Sequence, residues 1–460
     1  MILLISAVLV SAAFEPIGIW YLALFGYALF FRGLSKSSRP VLASFIFGLI
    51  LNGIVLHWSS KYVGALPWLL LALLQAAFYL PVGWVYRKTR SLRWVLVTFL
   101  ICEELRARFP FGGFAWTRIA FSQVESPLLP LVSIGGVLLL SFATLLSALA
   151  IARLKLRAIV FVAASFLIVA FLPNNPSSTE DISLIAIQGN TPSVGLEFNS
   201  RAKAVFYLHR DTTRDVVKQK YDAVIWPENA IDIDPRNYPE VLADIKTLVK
   251  EIDTSLIAGV VLTEQGSPAN ASVMYDVTGE VKSTYIKRYL TPFGEYMPLR
   301  KIAEFVSPYA KSVNDFKPGK DFVSHEIGGY QVAPIICYEI INDGLVRESA
   351  NRTGALIVQT NSATFANTAE SGQQLAITRI RAVEHAREIL SVSTVGISAF
   401  IDNNGQVKSQ TPENISTSIS GDLKVSNNQT LADRLGGVAP LLVLFASLIL
   451  AIGFRKKVYR

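Results

Sequence analysis

Apolar and polar positions along this chain follow two different rules. Near both ends the apolar residues come as long runs, at 2–13, 17–31, 41–56, 66–85, 95–102 with its flanks, 128–152, 158–172 and 439–454. A perpendicular membrane crossing needs about 20 such residues. Several runs are shorter than that, yet together they predict about eight spans. In the middle of the chain the apolar runs are short and alternate with amphipathic stretches. Strands are predicted at SLIAIQG (183–189), AVIWPE (223–228), SLIAGVVL (255–262), 272–276, 283–289, 332–336 and ALIVQT (355–360), with two more flanking Gly396. Helices are predicted over 201–220, 238–252, 344–352 and 372–387, and a hairpin turn at Asp402, Asn403, Asn404 and Gly405. That alternation predicts α/β layers around mixed sheets.

Composition agrees with a membrane protein. The 460 residues are 51% hydrophobic and 17% charged, with a mean hydropathy of +0.40, too apolar for a soluble chain of this length. The first run lacks a basic leader, and a second run follows directly after Phe14, Glu15 and Pro16, which predicts an uncleaved helical hairpin. Basic residues then orient the chain. Arg32, Lys36 and Arg39 fall in one connection, Arg87, Lys88, Arg90 and Arg93 in the next but one, Arg153, Lys155 and Arg157 in a third, and Arg455, Lys456, Lys457 and Arg460 in the tail. With both termini in the cytoplasm, all four groups face inward. The expected domains are 1–172 (about seven helices), an extracytoplasmic 173–434, and 435–460 with one helix and a basic tail.

The net charge of +8 needs no nucleic acid, because basic inner loops beside an anionic leaflet account for much of it. One outer connection, Glu103 to Pro130, carries Glu104, Arg106, Arg108 and Arg118 among aromatics and glycines. It reads either as an aromatic belt with snorkelling arginines or as a lipid-headgroup surface.

Candidate chemistry lies at the ends of the middle strands, where open α/β sheets place their sites. Glu228 closes AVIWPE, Lys287 follows STYI, and Cys337 closes VAPII. The other cysteine, Cys102, falls in an apolar run, so Cys337 has no evident disulfide partner. A thiol attacks an acyl carbonyl as thiolate, and a free pKa near ~8.5 calls for a neighbouring base or cation. A glutamate in an apolar pocket can take that proton and return it. A lysine can stabilise the oxyanion. Taken singly, each of these residues also fits an inert core cysteine or a solvated turn. The histidines, His57, His209, His325 and His385, show no metal-ligand spacing, and no metal or cofactor is expected.

These residues resemble the Glu-Lys-Cys triad of the nitrilase superfamily, in WPE at Glu228, YIKRYLTPFGEYMP around Lys287 and ICYE at Cys337. Fusion to membrane runs resembles the apolipoprotein N-acyltransferase family, a membrane-anchored branch. Further matching stretches are FEPIGIWYLAL near the start, ELRARFPFGGFAWTRIAFSQVESPL, QGNTP at 188–192 and RIRAVEHAR at 379–387. The resemblance implies an αββα sandwich beside a multi-pass helical domain in the bacterial inner membrane, facing the periplasm. It implies that Cys337 takes an acyl chain from a membrane phospholipid and passes it to the α-amine of a diacylglyceryl-cysteine lipoprotein. Glu228 would be the base, Lys287 the oxyanion stabiliser and Glu295 its support, with Tyr338 and Glu339 shaping the pocket. A monomer is expected. The chain departs from the family pattern at Ser362 to Ala366, at Ser391 to Gly396, and at Glu197 and Phe198. Two alternatives remain: a membrane-tethered amidase, on the triad alone, and an inactive scaffold of the same fold, on the altered 362–366 and 391–396 segments.

Overall fold

The computed structural model describes residues 1–154, 166, 169, 178, 180–195, 202–306, 308–311 and 313–453. The predicted run at 158–172, the basic residues Lys155 and Arg157, Glu197 and Phe198, and the basic tail fall outside the described residues, apart from positions 166 and 169. The chain divides into two compact units, Asn175–Gln429 and a second made of Met1–Asn174 with Thr430–Arg460.

In the first unit, the described strands are β1 (Asp181–Gln188), β2 (Ala223–Ile225), β3 (Ser255–Glu264), β4 (Ser267–Tyr275), β5 (Val281–Ile286), β6 (His325–Ile327), β7 (Tyr330–Ile336), β8 (Ala355–Thr360), β9 (Ile389–Ser393), β10 (Ala399–Ile401), β11 (Val407–Gln410) and β12 (Thr417–Lys424). They form two six-stranded sheets, ordered β12-β1-β2-β3-β4-β5 and β11-β10-β9-β8-β7-β6. Each has a parallel centre and antiparallel margins.

The strands of the parallel centres are buried on both faces. In β1, Leu184 and Ala186 point between the sheets, towards Ile357, Leu390 and Phe400. Ile185 and Ile187 point the other way, onto Phe206, Val241 and Ile245 of the helices Ala204–Val216 and Pro239–Ile252. Helices Asp343–Arg352 and Glu370–His385 pack on the far side of the second sheet. The layers are therefore αββα. Two-sided burial is why these strands read as continuous apolar runs rather than alternating ones.

Strand ends differ from expectation where the backbone chemistry intervenes. β2 stops at Ile225 because Pro227 has no N–H for a ladder. Pairing still continues through Trp226 N–H to Ile257 O at 2.8 Å and Gly259 N–H to Pro227 O at 3.1 Å. β12, a polar edge strand paired antiparallel with β1, has no clear apolar alternation and was not predicted; nor were β6 and β11. The hairpin at Asp402–Gly405 does join β10 to β11, with Gly405 N–H donating to Asp402 O at 2.9 Å.

The second unit is helical: Ile2–Ser11, Tyr21–Lys36, Pro40–Val55, Ala65–Ala77, Leu80–Thr89, Leu92–Arg106, Val132–Arg153 and Val438–Ile452 are its longer described helices. Two stretches, Ala65–Thr89 and Leu129–Arg153, are long and apolar enough to cross a membrane; three of the others are apolar but shorter. Leu66, Leu69, Leu70, Leu73, Leu441, Leu442 and Phe445 are exposed, as lipid-facing residues would be.

The segment read as an outer connection proves different. Glu103, Glu104 and Arg106 belong to helix Leu92–Arg106 and are buried, as is Arg118. Arg106 donates to Thr117 Oγ1 at 2.6 Å, Arg118 and Arg108 both reach Glu104, and Ser141 donates to Glu103 at 2.6 Å. Arg106 and Arg118 thus neither snorkel nor face headgroups. They satisfy carboxylates and hydroxyls inside the helix bundle, where an unpaired charge would be costly.

Candidate active site

Glu228, Lys287, Glu295 and Cys337 come together at one end of the sandwich unit. Glu228 follows β2 and is 5% exposed. Its backbone lies so close to β3 that a Cβ on Gly259 would stand 2.3 Å from Pro227 O and 2.6 Å from the Glu228 Cα. Glycine is therefore required opposite the carboxylate.

Lys287 directly follows β5 and is held at both backbone groups, by Asn270 O at 2.8 Å and Gly319 N–H at 2.9 Å. Its ammonium, 1% exposed, sits 3.3 Å from Glu228 Oε1 and 2.9 Å from the Glu295 carboxylate. Burial would lower its pKa, but Glu295, Glu228 and Cys337 outweigh burial and raise it. The lysine therefore stays charged. Glu295 is fixed in turn by Thr291 N–H at 2.7 Å.

Cys337 ends β7 at a sharp turn into helix Asp343–Arg352, with φ of +50°. A left-handed, non-glycine residue costs about 1–3 kcal/mol and marks a backbone held for a purpose. The thiol is partly exposed, and it and the Glu228 carboxyl each act on the other's proton affinity. Burial and then Glu228 push it well above its ordinary value, against Lys287. Burial likewise raises Glu228, while Lys287, Asn270 and the thiol pull it down. The raised thiol favours its protonated form at rest rather than a free thiolate.

The two neighbours of Cys337 do different things. Tyr338 is partly exposed beside the thiol, and burial raises its phenol. Glu339 is fully buried and turned away from the chemistry. It accepts from the Tyr285 hydroxyl at 2.8 Å and from the N–H groups of Ile336, Arg288 and Tyr289 at 2.9, 2.7 and 3.1 Å. One carboxylate thereby ties the Cys337 turn to the segment carrying Lys287.

Two residues of the site were not read from the sequence. Asn270, 1% exposed on β4, donates to Glu228 at 2.6 Å and to Glu295 at 3.0 Å. Its signal was an amide inside a strand otherwise made of small and apolar residues, SPANASVMY. Glu370, 4% exposed, acts electrostatically on both Cys337 and Glu228. Nothing in its local sequence separates it from an ordinary first-turn helix carboxylate. The two divergent segments lie here as well. The Ser362 hydroxyl holds the Glu370 carboxyl down against burial, and Thr394 Oγ1 donates to Glu228 O at 3.2 Å. Among the described residues no cluster of His, Cys, Asp and Glu could hold a metal.

Residues 184–432 match the carbon-nitrogen hydrolase family, and residues 6–150 match the apolipoprotein N-acyltransferase N-terminal domain. An apolipoprotein N-acyltransferase of Mycolicibacterium smegmatis is 31% identical, with 94% of this chain and 81% of that protein covered. The chain belongs to the apolipoprotein N-acyltransferase family. A second member, from Pseudomonas putida, is 28% identical over 87% of this chain and 86% of its own. A solved amidase from Nesterenkonia sp. is 15% identical, covering 57% of this chain and 95% of its own with a TM-score of 0.42, too low to carry weight. In apolipoprotein N-acyltransferase terms, the sandwich unit places a thiol, a buried carboxylate and a fixed cation in one site. Those are the parts that covalent acyl transfer needs.

Proposed function

We propose that this chain is an N-acyltransferase of bacterial lipoprotein maturation, with Cys337 as nucleophile, Glu228 as base and then acid, and Lys287 as oxyanion stabiliser. Family membership supports the activity. The contact of Lys287 with both Glu228 and Glu295, in a site where Cys337 and Glu228 act on each other, is the observation that carries the assignment of roles. In the first half-reaction Glu228 takes the thiol proton and the sulfur attacks an ester carbon of a membrane phospholipid. The C–O bond breaks, the lysophospholipid alkoxide leaves with the proton from Glu228, and an acyl-thioester remains. In the second half, the α-amine of a diacylglyceryl-cysteine lipoprotein attacks the thioester and releases the thiol. Glu295 and Asn270 hold Lys287 and Glu228 in place, Glu339 fixes the backbone of the Cys337 turn, and Tyr338 lines the pocket.

A multi-pass arrangement in the inner membrane, with the sandwich domain (173–434) on the periplasmic side and both termini inside, is supported by the apolar helices and the placement of Arg32, Lys36, Arg87 and Lys88. It confines a monomeric enzyme and its two lipid-anchored substrates to one surface, raising their effective concentration.

The test is intact mass of the purified protein after exposure to phospholipid, beside Cys337→Ala. A fatty-acyl adduct that requires Cys337 and is removed by neutral hydroxylamine is expected. A folded sample without adduct would sink the phospholipid step.

A further inference from the structure

The scheme above leaves unused a buried carboxylate that acts on Cys337 and Glu228. Glu370 opens helix Glu370–His385, and its Oε2 has no hydrogen-bond partner among the described residues. The Ser362 hydroxyl, just before the turn Ala363–Phe365 that precedes that helix, acts to lower the carboxyl. Ser362 is itself fixed by crowding: a Cβ on Gly396 would meet its Oγ at 2.9 Å and those of Ser393 and Ser371 at 2.8 and 2.4 Å. The titratable groups facing Glu370 are Glu228 from the end of β2, Cys337 from the end of β7 and Glu413 from beyond β11. Lys287 compensates Glu228 and Glu295, at 3.3 and 2.9 Å. The charges acting on Glu370 itself, Glu228 and Glu413, are both negative.

The start of this helix is tied to the site by geometry: Ser371 Oγ accepts from Ile397 N–H at 2.8 Å, and Thr394 Oγ1, three residues before Ile397, donates to Glu228 O at 3.2 Å. A buried carboxylate there, with an unfilled acceptor position and no cation acting on it among the described residues, suits a cation that arrives with a substrate. The acceptor brings one. Its terminal amine, with an ordinary pKa of about 7.7–8.0, is largely ammonium at neutral pH and has no lone pair for attack.

We propose that Glu370 receives the acceptor's α-ammonium and removes its first proton, which makes it a catalytic residue of the second half-reaction. The inference rests on the thioester reading above and deepens it. An N–H bond of the ammonium breaks, an O–H bond forms on Glu370, and the freed lone pair attacks the thioester carbon. The C–S bond then breaks, the second amine proton passes through Glu228 to the Cys337 sulfur, and Glu370 releases its proton to water. Burial raises the Glu370 carboxyl to about 7, which lets it take up and release a proton near neutrality.

Single-turnover kinetics of the full chain in detergent separates the two halves. The acyl-enzyme is formed with phospholipid, and its loss to a synthetic peptide beginning with diacylglyceryl-cysteine is then followed by intact mass from about pH 5.5 to 9. Glu370→Gln is expected to form the acyl-enzyme, and to pass the chain to the peptide about 100-fold more slowly at neutral pH than the unsubstituted protein does. The rise of its pH profile should move up towards the amine's own pKa, about 8. Hydroxylamine, already uncharged, should discharge both proteins alike. Equal rates and profiles with the peptide would overturn the proposal and leave the thioester intact. Absence of an acyl-enzyme in the unsubstituted protein would overturn the thioester reading, and this proposal with it. Should Glu370→Gln fail to fold, Ser362→Ala removes a bond that lowers the Glu370 pKa, so the profile midpoint must move up; an unmoved midpoint also overturns the proposal.

Discussion

The Asn270 amide donates to Glu228 Oε1 at 2.6 Å and, from the same nitrogen, to Glu295 at 3.0 Å. Two carboxylates are thus bridged by one amide as well as by the Lys287 ammonium. The bond to Glu228 favours its ionised form, against burial. Asn270→Leu keeps the volume and removes the donor. Glu228 should then hold its proton to higher pH, moving the rise of acyl-enzyme formation upward and slowing it about tenfold at neutral pH, the equivalent of one pKa unit. Acylation rates across pH by intact mass are the check; an unmoved midpoint would show that the amide does not tune the base.

Lys287 is the cation that makes two buried carboxylates tolerable. Lys287→Met should abolish acyl-enzyme formation and destabilise the fold by about 3–5 kcal/mol, because it leaves buried charge unpaired. Adding Glu295→Gln should recover part of that stability and none of the activity. Thermal unfolding of both variants in detergent tests this, and a double variant no more stable than the single one would argue against electrostatic coupling.

Glu370 also predicts how stability depends on pH. Its carboxyl is raised from 4.5 to about 7 in the folded protein. A raised pKa means the folded state binds the proton more tightly, so its contribution is complete below about 4.5 and is lost as pH climbs through 7. Glu370→Gln removes that loss. The variant should gain on the unsubstituted protein between those two pH values, by an amount on the order of 3 kcal/mol. Melting temperatures at pH 5 and 8 give the comparison; a constant difference between the two proteins would mean that Glu370 is not raised by burial.

The apolar runs were legible because burial on both faces of a sheet leaves an unmistakable sequence pattern, and β8 was found residue for residue at Ala355–Thr360. β12 was not, because an edge strand is stabilised by its ladder with β1 rather than by its side chains. The carboxylate, lysine and thiol were legible as polar residues that abruptly end apolar runs. Their partners were less so. Asn270 sits mid-strand, and Glu370 lies 33 positions after Cys337.

By itself the sequence determined the alternation that builds the sandwich, the helical character of the two ends and the residue types available for acyl transfer, because these follow from local periodicity and side-chain chemistry. Tertiary structure decided which charges meet. It buried Arg106 and Arg118 inside the helix bundle instead of at a lipid surface, and turned Glu339 to the backbone instead of the pocket. It also brought Asn270 and Glu370 to the nucleophile's neighbourhood. Electrostatic pairing falls off over a few ångströms, and only the folded chain sets distances on that scale between residues remote in sequence.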